Sequence, residues 1–378
     1  MPINRLIDRL GWIAATSLLV GITVAGGLAV RMWNNPDEAR RTMTVARFYL
    51  EARNPAPPQD PRVSEVIRDL TNRLKDDISP SNRRYDDTYG PWTQAQMAVS
   101  LQGQDAFDAT EMAQWFGRIA GNCNCWRDNL RGPHGHLAAT GWVLLSFARM
   151  RVRPTEPEIE FLLANQHRPG WWPIYATASD DPRNGSAYAT AFCAWALQEL
   201  LDRGLIADTQ RQRAADAVRK GRIWLVDNSV PGRPGRWKDY PNGGVEYGAE
   251  SLGLSGLVLH VLHRTPGPPP SANDADWMLT LPAELPELRD KFSSGQTVRF
   301  PDQSWRPDAT HHFAFPWLIV ATTDAYSHGS LSQRAQAARL FHQIPEKRQA
   351  LATEFKDMPF FAAETLIALR HLRGDGVI

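Results

Sequence analysis

The 378-residue sequence predicts an all-α protein: an α6/α6 toroid, or double ring of helices, behind an N-terminal transmembrane helix. Three observations support this fold class. Apolar segments rich in small residues recur six times, more polar amphipathic segments alternate with them, and one long uncharged run lies near the N-terminus. The net charge of +1 argues against a partner held by bulk electrostatics. We therefore expect no nucleic-acid partner.

The uncharged run covers residues 10–30 and has about the 20 residues that a bilayer core requires. It is longer than the apolar region of a cleaved signal peptide, which is the alternative. Residues 1–30 are thus predicted to be a membrane anchor, with the lipid membrane as partner, in a single-pass protein of a bacterial-type inner cell membrane. More arginines follow the run than precede it, which favours a cytoplasmic toroid.

Residues 31–61 are predicted to form a juxtamembrane helix, over about 37–52, and a proline-rich linker. The linker reads NPAPPQDP, and proline both removes a backbone donor and restricts the residue before it. The toroid domain is therefore predicted to occupy residues 62–378.

Six apolar segments within that domain are spaced about 45 to 60 residues apart, as in two-helix repeats. They are apolar or small on nearly every face, which predicts burial on both sides. These inner helices are expected at 93–101, 137–147, 186–200, 248–262, 315–326 and 360–372. The amphipathic outer helices are expected at 62–77, 105–120, 155–166, 208–228, 282–292 and 331–354. An open solenoid, which needs polar end caps, is the alternative to a closed ring.

One join between helices has a specific pattern, FLLANQHRPGWW, with Gln166, Gly170 and Trp172. Glutamine can bond free backbone groups at the end of an outer helix, glycine allows a tight turn, and tryptophan covers the next helix. A second copy ends at Trp237 with Ser229 in the position of the glutamine, and a weaker echo lies at 303–305.

This pattern closely resembles the QW motif of the terpenoid cyclase and protein prenyltransferase toroids. The resemblance implies an α6/α6 toroid whose central cavity holds an isoprenoid. It suggests a membrane-anchored cyclase- or prenyltransferase-like protein that binds an isoprenoid or another apolar small molecule. Whether the chain is an enzyme stays open, because fold does not determine reaction.

Cyclases of that family protonate an alkene or epoxide with an aspartate held in D-x-D-D or D-C-T-A-E. The nearest matches give Asp86, Asp87, Glu246 and Glu250 as candidate catalytic acids. Both matches depart from the family pattern. Arg84 replaces the first aspartate, which would hold the acid pair ionised, and the Cys-Thr pair is lost. The alternative is that all four are carboxylates favoured by a helix N-terminus.

Aromatic and imidazole side chains near the predicted starts of the inner helices should share one rim of the toroid. Aromatic faces there would stabilise a carbocation. The predicted ligand-cavity residues are Tyr89, Trp92, His136, Trp172, Tyr188, Trp237, Tyr247, His311 and His312.

The cysteines are three, an odd number, which predicts no disulfide framework. Cys193 lies in an apolar run and is interpreted as core. Cys123 and Cys125 lie near His134 and His136, but the Asp/Cys/His spacing of the prenyltransferases is absent. We therefore expect no metal and no cofactor.

Two other functions remain open. The first is a non-catalytic, membrane-tethered sensor or scaffold that acts through protein partners. The second is a periplasmic carbohydrate-active toroid, which would require paired carboxylates in an open cleft. Its candidate polar residues include Asp180, Asp181, Arg183, Asn184 and Tyr240.

Overall fold

The computed structural model describes residues 36–54, 56–58, 60–78, 90–120, 122–127, 135–176, 178, 180–233, 235–242, 250–267, 281–282, 284–299, 305–353 and 358–376. The helices of these residues are α1 (Pro36–Glu51), α2 (Pro61–Asp77), α3 (Gly90–Ser100), α4 (Ala109–Ile119), α5 (Leu137–Met150), α6 (Glu156–Ala164), α7 (Ala187–Asp202), α8 (Asp208–Asp227), α9 (Leu252–Arg264), α10 (Ala314–His328), α11 (Leu331–Phe341), α12 (Arg348–Thr353) and α13 (Pro359–Arg373). The strands are β1 (Trp237–Lys238), β2 (Glu250–Ser251), β3 (Lys291–Arg299) and β4 (Trp305–Phe313).

Six helices form a closed inner ring in the order α3, α5, α7, α9, α10 and α13. Each packs on the next, and α13 packs on α3. Nearly all their side chains are buried, because these segments carry small or apolar residues on every face. They coincide with the six apolar segments of the sequence, and their interior is the core of the protein.

The remaining helices lie outside this ring. Helices α2, α4, α8 and α11 pack on α13, α5, α7 and α10 respectively, and α6 packs on α8. Helix α2 shows why such helices are outer ones. Its buried residues Val63, Val66, Ile67, Leu70 and Leu74 follow the three-to-four spacing of one helical face, and its other face carries charges.

The structure departs from an all-α fold between α9 and α10. The expected outer helix at 282–292 is not formed by the described residues of that range, and the antiparallel hairpin of β3 and β4 follows instead. Pro286 lies in the middle of the expected helix, where it lacks the required N–H and its ring meets the preceding turn. Pro345 likewise divides the expected helix 331–354 into α11, a 3-10 turn and α12.

The predicted localisation, a single-pass protein of an inner cell membrane, is wrong. None of the helices in the described part of the chain combines the length and the apolar character needed to cross a bilayer. The expected anchor, residues 10–30, lies outside the described residues. The expected juxtamembrane helix forms α1, but it packs on α11 at the side of the ring. The hydroxyl of Tyr326 donates to the main-chain oxygens of Glu51 and Asn54, at 2.9 and 3.0 Å, and holds its end there.

Three tryptophans make the same pair of hydrogen bonds between an outer and an inner helix. The indole Nε1 of Trp126, Trp172 and Trp237 donates to a main-chain oxygen near the end of the preceding outer helix, that of Phe116, Leu162 and Leu225, at 3.0, 2.8 and 2.8 Å. The main-chain N of each donates to a hydroxyl in the first turn of the next inner helix, on Thr140, Thr190 and Ser255. Each tryptophan therefore fixes where the next inner helix begins. Trp126 was not identified from the sequence.

Gln166 joins two outer helices. Its Nε2 donates to the main-chain oxygen of Gly170, at 2.9 Å, and to that of Ala217 in α8, at 2.8 Å. Gly170 has a φ of +139°, and a Cβ there would lie 2.4 Å from the main-chain oxygen of Lys220. The turn after α6 thus approaches α8 as closely as a residue without a side chain allows.

Replacing Gln166 by alanine should lower the free energy of unfolding by about 1–3 kcal/mol, because two main-chain oxygens lose their donor. Gln212→Ala is the control, since this side chain is exposed on α8 and bonds only Asp216, at 3.4 Å. Urea unfolding followed by tryptophan fluorescence measures both. Equal losses in the two variants would contradict a joining role for Gln166.

Candidate functional site

Four buried rings meet where the inner helices begin. Trp92 lies in the first turn of α3, His136 caps α5, Tyr188 lies in the first turn of α7, and His312 lies in β4 two residues before α10. The ring centroids of Trp92 and His136 are 4.8 Å apart, those of Trp92 and His312 are 5.7 Å apart, and Tyr188 stacks on His312 at 4.0 Å. We call these four residues the aromatic layer.

Neighbouring elements hold the aromatic layer in place. Phe292 of β3 pairs with His312 of β4 in the hairpin register, and its ring lies 4.9 Å from that of His312. The ring of Tyr175 contacts that of His136 edge-on at 4.9 Å. The β-hairpin that replaces an outer helix thus contributes two of the rings at this end of the inner helical ring.

Both imidazoles of the layer are neutral. Burial lowers the pKa of His136 to about 3, and burial likewise places the pKa of His312 well below its ordinary value. Nδ1 of His136 accepts the main-chain N–H of Ala139 at 3.1 Å. The proton of the neutral ring is therefore on Nε2.

Three donors of the layer point to no acceptor among the described residues. They are the indole Nε1 of Trp92, Nε2 of His136 and the hydroxyl of Tyr188. A buried donor without a partner costs about 1–3 kcal/mol, so native proteins rarely retain one. The layer is consequently suited to bind an oxygen acceptor while its rings contact an apolar group.

A buried carboxylic acid lies one helical turn deeper. Oε1 of Glu364 in α13 accepts Nε2 of Gln96 in α3 at 2.9 Å. Burial raises the pKa of Glu364 to about 8, against the lowering effect of hydrogen bonds from Gln96 and Trp317. At neutral pH Glu364 is therefore mainly protonated and can act as a proton donor.

A second buried acid, Asp239, binds the first turn of α7, which carries Tyr188 of the layer. The carboxylate of Asp239 accepts the hydroxyl of Ser186 at 2.7 Å and the main-chain N–H of Tyr188 at 2.9 Å. Burial raises the pKa of Asp239 to about 7, although these bonds oppose the rise. Asp239 thus holds the first turn of α7, and with it the Tyr188 ring.

Three predicted cavity residues lie elsewhere. Trp172 and Trp237 are buried between outer and inner helices, where they make the bonds described above. His311 is exposed, and its Nδ1 lies 2.7 Å from the hydroxyl of Ser293. It precedes His312 in β4, and consecutive strand residues point to opposite faces.

The predicted acids divide into two groups. Glu250 opens β2 and forms ion pairs with Arg233 at 2.9 Å and Arg236 at 3.6 Å. The remaining predicted residues lie outside the described residues; they are Asp86, Asp87, Tyr89, Glu246 and Tyr247. Asp86, Asp87 and Tyr89 directly precede α3, and Glu246 and Tyr247 directly precede β2.

Sequence reasoning missed Glu364, Gln96 and Asp239. The signal for Glu364 was present, because it is the one carboxylate within the apolar segment FFAAETLIALRHL, and unpaired acids are rarely buried. Its partner Gln96 is 268 residues away in the sequence, so their pairing required the closed ring.

The cysteines were expected to form no disulfide framework, yet Cys123 and Cys125 are joined by a disulfide. It closes a single turn between α4 and α5, and neither sulfur remains as a thiolate ligand for a metal. Cys193 is buried in α7, and burial raises the pKa of its thiol.

No protein-family model and no curated protein matches the chain. Solved structures do. The type II terpene cyclase MstE from Scytonema covers 84% of this chain and 100% of its own at a TM-score of 0.52 and 13% identity. A variant of MstE with its substrate geranylgeranyl dihydroxybenzoate gives 0.50 and 12%, covering 84% and 98%. A protein from Actinoplanes gives 0.47 and 18%, covering 82% and 99%. The chain thus has a terpene cyclase-like helical fold.

Replacing Glu364 by glutamine should change how stability depends on pH. The pKa of Glu364 in the folded protein, about 8, lies above its ordinary value of 4.5. Between these values the folded state binds the extra proton, so wild-type stability falls as pH rises, by up to about 1.4 kcal/mol per pH unit. Glu364→Gln should lack this decline. The free energy of unfolding of the variant minus that of the wild type should therefore be larger at pH 8 than at pH 5.

Urea unfolding at pH 5 and pH 8 measures the effect. Glu111→Gln is the control, because Glu111 is exposed on α4 and its replacement should leave the wild-type slope intact. Parallel pH profiles for wild type and Glu364→Gln would show that Glu364 is ionised in the folded protein.

Proposed function

We propose that this terpene cyclase-like protein binds an isoprenoid or similar apolar small molecule against the aromatic layer. The observation that carries the proposal is the pairing of buried rings with three unsatisfied donors, Trp92 Nε1, His136 Nε2 and the Tyr188 hydroxyl. The rings would pack against the hydrocarbon, and the donors would bind an oxygen at its head.

The likeness of fold supports this ligand class. The MstE variant holds geranylgeranyl dihydroxybenzoate, which combines a prenyl chain with oxygen atoms on its ring. Its prenyl chain is the kind of apolar group that could pack against the rings of the layer, and its oxygen atoms are acceptors for the donors of the layer. In the sequence, Asp86 and Asp87 shortly precede α3, and Glu246 shortly precedes β2, which continues into α9. Both helices belong to the inner ring.

For catalysis, the proposal requires an acid that is protonated before it meets an alkene. Glu250 is poorly suited, because its carboxylate is already engaged in ion pairs with Arg233 and Arg236. Asp86, Asp87 and Glu246 remain candidate proton donors. Glu364 joins them as the described acid best suited to the role, since it is mainly neutral at neutral pH and is hydrogen-bonded by the indole of Trp317, a ring that would stabilise a cation.

A non-catalytic ligand-binding protein is the second candidate. Below the layer, rings of non-adjacent inner helices approach each other: Trp142 of α5 lies 6.2 Å from Trp317 of α10, on the opposite side of the helical ring, and Phe192 of α7 lies 5.7 Å from Trp317. Side chains thus occupy the axis at this depth. A long substrate would have to remain at the layer or displace these rings.

The carbohydrate-active alternative has less support. Asp180 bonds His167, and Asp181 bonds Arg183 at 2.8 Å. Both carboxylates are therefore engaged with basic side chains, whereas a glycosidase requires two acids that face one substrate.

Binding of geranylgeraniol, measured by quenching of tryptophan fluorescence, tests the ligand proposal. Trp92→Phe keeps an aromatic ring but removes the donor, and should weaken binding about tenfold, which corresponds to about 1.4 kcal/mol for one hydrogen bond. Trp115→Phe on the outer helix α4 is the matched control and should bind as wild type does. The corresponding hydrocarbon without the hydroxyl should bind both variants equally. Equal binding of the alcohol by both would refute the role of the donor.

Incubation with geranylgeranyl-bearing substrates, followed by mass spectrometry of the organic extract, separates enzyme from binder. An enzyme should give a cyclised product that is lost in Glu364→Gln or in Asp87→Asn while geranylgeraniol binding persists. Binding by the wild type without any product would favour the non-catalytic candidate.

A further inference from the structure

A second cluster of polar side chains lies at the opposite end of the inner ring. His260 of α9, Asp324 of α10 and His371 of α13 occupy the last two turns of three successive ring helices. The aromatic layer lies at the first turns of the ring helices, so the two groups are separated by the length of these helices. We call this cluster the imidazole group.

The carboxylate of Asp324 bridges the two imidazoles. Its Oδ2 lies 2.8 Å from Nδ1 of His260, and its Oδ1 lies 2.9 Å from Nε2 of His371. One potential ligand atom from each residue lies within 4.8 Å of the other two. Three donors at such separations need only small side-chain rotations to converge on one ion.

The protonation states suit a cation. Burial alone would raise the pKa of Asp324, but its attraction to and hydrogen bond with His260, together with His371, hold that pKa well below the ordinary value. Burial lowers the pKa of His260 despite the nearby carboxylate. Metal ligation uses the deprotonated form of a carboxylate and the neutral form of an imidazole.

A purely structural hydrogen-bonded trio explains the arrangement less well. The carboxylate is buried, and its closest contacts are the two imidazoles. A buried charge is expensive unless an opposite charge compensates it. In that trio His260 would donate through Nδ1, and its buried Nε2 finds no hydrogen-bond partner in the described part of the chain.

The imidazole group is accessible from one side. The side chain of His371 is 15% exposed, whereas that of His260 is fully buried. His263 and His328, which follow His260 and Asp324 by about one turn, are exposed and stack at 5.3 Å. Four of the ten histidines of the chain thus gather at this end, and the outer two border the approach.

We propose that His260, Asp324 and His371 bind a divalent transition-metal ion such as zinc. Two imidazoles and one carboxylate are a donor set that zinc and iron(II) accept, and three protein ligands leave a position for water. That position would face the exposed side of His371. The ion would neutralise Asp324 and join α9, α10 and α13. The proposal is independent of the ligand proposed for the aromatic layer.

Zinc binding by the full-length, untagged, chelator-treated protein provides the test. The wild type should bind one equivalent of Zn²⁺ in equilibrium dialysis and gain thermal stability from it, because the ion binds only the folded state. Co²⁺ should give the visible absorption bands of a low-symmetry site with nitrogen and oxygen ligands. Both signals should weaken at pH 5, where protons compete for the imidazoles.

His371→Gln should lower zinc affinity at least tenfold, and its partial exposure favours retention of the fold. His263→Gln is the matched control, because His263 is exposed and outside the group, and it should bind as wild type does. Asp324→Asn should also lose the ion; if that variant does not fold, His371→Gln decides alone. Zinc retained by His371→Gln, lost from His263→Gln, or never bound by the wild type would overturn the proposal.

Discussion

The structure depends on the burial of six helices on all sides at once. Such helices must lack a polar face and must approach closely, which explains their alanine, glycine and leucine content. Gly256 in α9 shows how tight the ring is, since a Cβ there would lie 2.5 Å from the main-chain oxygen of Trp317 in α10. Once closed, the ring offers water only at its two ends, so any polar side chain inside must find a protein partner or a ligand.

The polar side chains of the ring follow from that constraint. Arg149 and Glu199 form a buried ion pair at 2.7 Å, and Arg370 donates to the main-chain oxygen of Ser100 at 2.6 Å. Nε2 of Gln96 likewise donates a hydrogen bond to Glu364. The exceptions are therefore informative. The N–H donors of the aromatic layer and Nε2 of His260 in the imidazole group are among the buried polar atoms that find no hydrogen-bond partner in the described part of the chain.

Periodicity predicted the six inner helices because each is uniformly apolar over several turns, a pattern independent of the rest of the fold. The starts of these helices also indicated that Trp92, His136, Tyr188 and His312 share one end. The imidazole group was invisible because its members are 64 and 47 residues apart in the sequence and lie on different helices. The β-hairpin was missed because the segment 282–292, with leucines at helical spacing, was interpreted as an outer helix despite Pro286.

The neutral state of the two layer histidines has a consequence for selectivity. A site that must hold a diphosphate needs fixed positive charge, as arginine or lysine provides. The described layer instead presents two N–H groups and, with the pKa of His136 at about 3, no imidazolium at physiological pH. It would discriminate against anionic head groups through their desolvation and accept alcohols, ketones or epoxides. For the prenyl ligand that we propose, this selectivity would mean recognition after its ionic activating group has been lost, or of a molecule that never carried one.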